Sequence, residues 1–150
     1  MTALITYFVT ALIVSFLCSL LESVLLSISI THVSVLEKNG SHSGKIMAEL
    51  KENINRPLAA ILTINTIANT VGAAGVGAQT MVLYGNEWVA IASGILTLSI
   101  LIFSEIIPKT IGAGYNKSLS SFTAYTVRSL MVIAYPFVVL SEFMAGFIHS

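Results

Sequence analysis

The chain has 150 residues, 55% of them hydrophobic and only 9% charged, with a formal net charge of zero. A soluble domain carries about 25% charged residues, so lipid must be the solvent for much of this surface, and the neutral balance argues against a nucleic-acid partner. Mean hydropathy is +0.89. Cys18 is the single cysteine, which rules out an internal disulfide and a thiolate metal cluster.

In chain order, the first apolar run covers roughly residues 4–30. It lacks a basic leader, is too long for a signal peptide and contains Glu22. Residues 31–56 bring a Gly/Ser turn, "NGSHSGK", and then Ile46, Leu50 and Ile54 at i+4 spacing among charges. That spacing predicts a short amphipathic helix over about 44–54, lying at the membrane surface. A second run covers roughly 57–84 and a third roughly 88–114. Each of the three exceeds the ~20 residues needed to cross ~30 Å of hydrocarbon. Residues 118–149 are apolar but interrupted by Arg128 and Pro136. They read as two interfacial half-helices broken before Pro136, with a fourth span as the alternative.

Lys38, Lys45, Lys51 and Arg56 lie between the first two runs, and Lys109, Lys117 and Arg128 lie at or beyond the end of the third. The N-terminal tail and the loop "GNEW" carry no basic residue. The positive-inside rule therefore predicts an all-α, multi-pass protein of the cell membrane with its N-terminus outside. Its juxtamembrane helices then lie on the cytosolic side.

Polar side chains inside the runs cost free energy and ask for a reason. Ser15, Ser19, Glu22, Ser23 and Ser27 share one stripe of the first run. Single serines there serve packing or bond the carbonyl four residues back, but a carboxylate at membrane depth is a functional candidate by default. Asn65 and Asn69 form an i, i+4 pair in the second run. Gly72, Gly75 and Gly77 follow and read as small residues for close helix approach. In the third run, "FSEIIPKTIG" puts Glu105, Pro108 and Lys109 within five positions. Pro108 cannot donate to the carbonyl of Ser104, so the helix loosens beside Glu105, and Gly112 and Gly114 allow a turn or unwinding. Lys109 either pairs with Glu105 or snorkels to the headgroups.

Counted from the run ends at 1.5 Å per residue, Glu22, Asn65 and Glu105 all fall roughly 12–14 Å from the cytosolic boundary. Carboxylate, amide, hydroxyl and carbonyl oxygens in one layer are hard ligands, suited to Mg²⁺, Ca²⁺ or Na⁺. His32, His42 and His149 lie outside the layer, which leaves it without the ligands that zinc or copper prefer.

Three stretches resemble the CNNM/CorC family of magnesium transporters. "SLLESVLLSIS" (19–29) is similar to its S-x-x-E-T-A-L-x-S-L-S stretch, "INTIAN" (64–69) to G-N-x-x-x-N, and "FSEIIPKTIG" (103–112) to F-G-E-I-x-P-K-T. They occur in the family's order over nearly the whole chain. Ile64, Ser104, Leu20 and Leu21 depart from the small residues usual at those places. The resemblance implies three transmembrane helices with a juxtamembrane belt, a homodimer, and Mg²⁺ bound in an inward-facing cavity and exported in exchange for Na⁺. By motif match it implies Ser19, Asn65, Asn69, Glu105 and a backbone carbonyl near Gly112 as Mg²⁺ ligands, with Glu22 and Ser23 lining the site. Members usually continue into cytosolic CBS domains, absent here, so the chain reads as a piece of a longer protein ending at Ser150.

Other classes predict other chemistry. A non-transporting anchor or regulatory subunit would pair these polar groups with one another. A transporter of another cation, or of protons, would use the same carboxylates. A hydrolase is disfavoured, since the chain lacks H-E-x-x-H and has no histidine beside an intramembrane serine, and the chain reads as a non-enzyme.

Overall fold

The computed structural model describes residues 1–149. Ser150, where the resemblance expects further domains to begin, lies outside the described residues. The described chain is all-α, and three of its helical segments are long and apolar enough to cross a membrane.

The first of these is α1 (Thr2–Ser27), an uninterrupted and mostly apolar helix without proline or glycine. It ends three residues earlier than the hydropathy suggested. Ile28 turns extended, and the Ser29 hydroxyl accepts the N–H of His32 at 3.1 Å to start α2 (Ile30–Lys38). Helix α2 lies where sequence periodicity predicted no element. Gly40 then adopts φ +81°, a left-handed turn that lets Ser41 N–H return to Leu36 O at 3.0 Å.

Ser41 caps α3 (His42–Glu52) through Gly44 N–H. Gly44 is needed for the α2–α3 contact, because a Cβ there would stand 2.6 Å from Leu36 Cβ. The amphipathic helix expected over 44–54 is thus α3, shifted two residues toward the N-terminus. Ile46, Met47 and Leu50 face inward, and Ile54 falls beyond its end.

Helix α4 (Asn55–Tyr84) is the second span, with Pro57 in its first turn, where no hydrogen bond is lost. The third span, Asn86–Gly114, opens with a 3₁₀ turn and continues as α5 (Val89–Ser99), a π-helical segment (Ile100–Ile106) and α6 (Ile107–Gly114). Helices α7 (Asn116–Ile133) and α8 (Tyr135–His149) meet at Ala134 with a bend of 82°. The break comes just before Pro136, as its ring requires of the residues ahead of it. The pair counts as a fourth span only if that bend is carried through the bilayer.

Helix α1 is the centre of the bundle and touches α4, the π segment, α6 and α7. The main core gathers at one end, where Leu21, Leu25 and Ile28 meet Val33, Met47, Leu50, Ile61 and Val127. Lys51 closes this core from α3. Its Nζ donates to Leu25 O at 3.0 Å and Ile28 O at 2.7 Å, two carbonyls at the end of α1. Burial pushes the pKa of this ammonium below its ordinary 10.5. The opposite end of the spans leaves Ile5, Met81, Trp88, Ile91 and Ile95 exposed, as lipid-facing residues are.

Candidate cation site

Contacts between helices set the height of each polar side chain. Helix α4 runs antiparallel to α1, and Gly72 packs on Ala11, where an added Cβ would come within 2.5 Å of the Ala11 Cβ. Gly75 sits against the ring of Tyr7. The small residues of the second span therefore serve contact within the chain. On this register Ser15 of α1 lies level with the Asn65–Asn69 pair of α4. Ser15 is fully buried, and Asn65 and Asn69 are half-buried.

The third span runs parallel to α1 and is fastened to it twice. The Ser104 hydroxyl donates to Leu12 O at 2.8 Å, and the Ser23 hydroxyl donates to Lys109 O at 2.7 Å. Gly112 makes the second contact possible, since a Cβ there would meet Ser23 Cβ at 2.6 Å and Leu20 O at 3.0 Å. The helix does not unwind at Gly112. It continues to Gly114, so the role of Gly112 is close approach.

Between the two fastenings the backbone widens. Ile107 N–H reaches back five residues to Ile102 O, and Pro108 brings no N–H to the carbonyl of Phe103 or Ser104. The proline ring would collide with the carbonyl four residues back in a regular α-helix. The π segment moves that carbonyl aside. Glu105 lies in this widened stretch, half-buried, one residue after the Ser104–Leu12 bond.

Three buried oxygens in this region accept or donate no hydrogen bond: Ser15 Oγ, Asn65 Oδ1 and Asn69 Oδ1. An unmade hydrogen bond on a buried polar atom costs ~1–3 kcal/mol, so each of these atoms calls for a water or a ligand as its partner. Lys109 is exposed and forms no ion pair with Glu105. Of the two roles the sequence allowed it, the structure has the lysine outside. Among the described residues there is no group of three His, Cys or acidic side chains suited to a metal. Glu105 is the one acid within Val89–Gly114, and α4 carries none.

Glu22 stands apart. It is five residues from the end of α1, whereas Asn65 is ten from the start of α4 and Glu105 nine from the end of α6. At 1.5 Å per residue that is about 8 Å against about 14–15 Å. The equal depth expected from the sequence relied on a first span reaching residue 30, and the Ser29 cap removes that basis. Glu22, Ser23 and Gly112 form a lower level, one turn toward the α1–α3 core. Ser19, nearly fully buried, lies between the two levels. Ser15 was legible only as part of a serine stripe, and its place opposite the asparagines comes from the α1–α4 register.

The Cyclin M transmembrane N-terminal domain family matches residues 6–149. A UPF0053 protein of Synechocystis is 35% identical over 120 residues, covering 80% of this chain and 35% of the relative. A UPF0053 protein of Haemophilus influenzae is 37% identical over 114 residues, 76% of this chain and 27% of its own length. The UPF0053 inner membrane protein YfjD of Escherichia coli is 32% identical over 103 residues, 69% of this chain and 24% of the relative. The chain thus spans about a third or less of these relatives. With three membrane-length helices, the ordered motifs and a family match over almost its whole length, the chain belongs to the CNNM transmembrane-domain family.

Proposed function

We propose that this domain carries Mg²⁺ across the cell membrane, outward and in exchange for Na⁺, through a site open to the cytosol. The observation that carries the reading is the set of buried, unpartnered oxygens of Ser15, Asn65 and Asn69 at the level of Glu105. In this proposal Asn65, Asn69, Glu105 and Ser19 are ligands, with Ser15 added to them. Ser23, Gly112 and Glu22 form the cytosolic mouth. Neutral amides and one carboxylate bind Mg²⁺ without neutralising it fully, which favours release over trapping. The same hard oxygens accept Na⁺, the coupling ion of the proposal. The N-terminus is outside, by the distribution of lysine and arginine. The third span leaves Leu98, Leu101, Ile102 and Phe103 exposed, a face for lipid or for the second copy of a homodimer. The relative YfjD of Escherichia coli is an inner membrane protein, which supports placement in the cell membrane.

Glu105→Gln, Lys109→Met and the double variant test the site by thermal stability and Mg²⁺ flux in proteoliposomes. Glu105→Gln should fold as well as the parent and bind Mg²⁺ about tenfold more weakly or worse, the scale of one charged contact. Lys109→Met should change neither readout. A stable Glu105→Gln protein moving Mg²⁺ at the parental rate ends the proposal.

A further inference from the structure

A cavity of 390 Å³ lies away from the cation layer, among α3, α4, α7 and α8. That is within the range of about 300–1,000 Å³ typical of small-molecule sites. It sits where α4 enters the membrane, with Arg56 and Pro57 in the first turn of that span. Arg128 lines it from α7 and Tyr135 from α8, on either side of the 82° bend. Asn53 adds an amide, and Glu49 is the one acid in the lining.

The charged groups at the cavity are thus two guanidiniums against the exposed Glu49 in its lining and Glu142 beside it. Arg128 forms no ion pair among the described residues. Arg56 is ion-paired through Nε with Glu142 Oε1 of α8 at 2.6 Å, and its terminal N–H groups make no hydrogen bond among the described residues. Below the arginines the wall is apolar, formed by Pro57, Met131 and Val138. Val132 at its rim and the neighbouring Ile133 are exposed, as on a lipid-facing surface.

Charged donors at the membrane boundary above an apolar wall match a phosphate that carries hydrocarbon. The geometry points to the cavity as a site for the phosphate of an anionic membrane lipid, clamped by Arg56 and Arg128 at the α7–α8 bend. Arginine suits this role because its planar fork meets phosphate oxygens in pairs. Basic pockets between membrane helices hold such headgroups elsewhere. Glu142 competes for Arg56, so its removal should strengthen binding. The inference rests on the membrane fold and not on Mg²⁺ transport.

The test uses the full chain in nanodiscs of phosphatidylcholine, with and without phosphatidylglycerol, read by native mass spectrometry and thermal unfolding. A third arm adds inorganic phosphate to phosphatidylcholine discs. The parent should retain phosphatidylglycerol in preference to phosphatidylcholine and be stabilised by it, while inorganic phosphate has little effect. Arg128→Gln should unfold at the parental temperature in phosphatidylcholine and retain phosphatidylglycerol about tenfold less, the size of one charge-assisted hydrogen bond. Glu142→Gln should retain more. Equal retention by the parent and Arg128→Gln overturns the inference. Stabilisation by inorganic phosphate equal to that by the lipid also overturns it, and marks a site for free phosphate.

Discussion

Asn69 concentrates its cost in one atom. Its Oδ1 is buried without a partner, and the side chain stays on α4 although leucine would suit a membrane helix far better. Such an atom makes the empty protein less stable than it could be. Asn69→Leu should therefore raise stability without Mg²⁺ by about 1–2 kcal/mol and, on the proposed function, remove any stabilisation by Mg²⁺. Thermal unfolding with and without Mg²⁺ checks both halves. A loss of stability in the metal-free variant would mean that the amide serves the packing. Sequence alone identified Asn69 through its spacing from Asn65. It could not tell an amide that bonds a neighbouring helix from one left open, because that depends on what α1 places opposite.

Elements carry two further tests. The π segment exists because Pro108 gives no N–H and crowds the carbonyl behind it. Pro108→Ala restores the donor and lets the segment return to α-helix, which turns Glu105 by about 100° relative to α6. Helix content should stay unchanged by circular dichroism, while the Mg²⁺ response falls to background. An unchanged Mg²⁺ response would show that the widened backbone does not aim Glu105. At the other end of the bundle, Lys51 joins α3 to the last carbonyls of α1. Lys51→Met leaves those carbonyls unmatched and should cost about 2–3 kcal/mol, read as a lower unfolding temperature. Lys51→Arg should recover part of it. If Lys51→Met unfolds with the parent, water replaces the lysine without loss.

At the scale of the whole molecule, labelling reports the side of the membrane on which each end lies. Single cysteines at exposed Asn39, Asn86 and Gly146, in a background with Cys18 replaced, report it through an impermeant maleimide. With the N-terminus outside, Asn86→Cys should label in intact cells and Asn39→Cys only after the membrane is opened. Gly146→Cys should follow Asn39→Cys if α7 and α8 lie along the cytosolic face. Its labelling from outside would carry the bent pair through the bilayer as a fourth span. Helix α8 suits the surface position, since Phe137, Leu140, Phe143 and Met144 are exposed and Arg56–Glu142 ties it to the start of α4.

The sequence by itself determined the membrane class, the three spans and the break before Pro136, and it marked the polar residues inside the spans. Each follows from a local property: apolar length, the missing N–H of proline, or the cost of a carboxylate or amide in hydrocarbon. The ends of elements were less legible, because Ser29 looks like any other serine of the stripe until it caps α2. Only the tertiary structure decided how the helices stand against one another. That register put Ser15 beside the asparagines, moved Glu22 a turn below Glu105 and turned Gly112 into a contact for Ser23. It also set Lys51 under α1 and the two arginines into one cavity. The physical reason is the same each time: spacing along one helix fixes which face a residue takes, but its height against another helix depends on interlocking contacts far away in the chain.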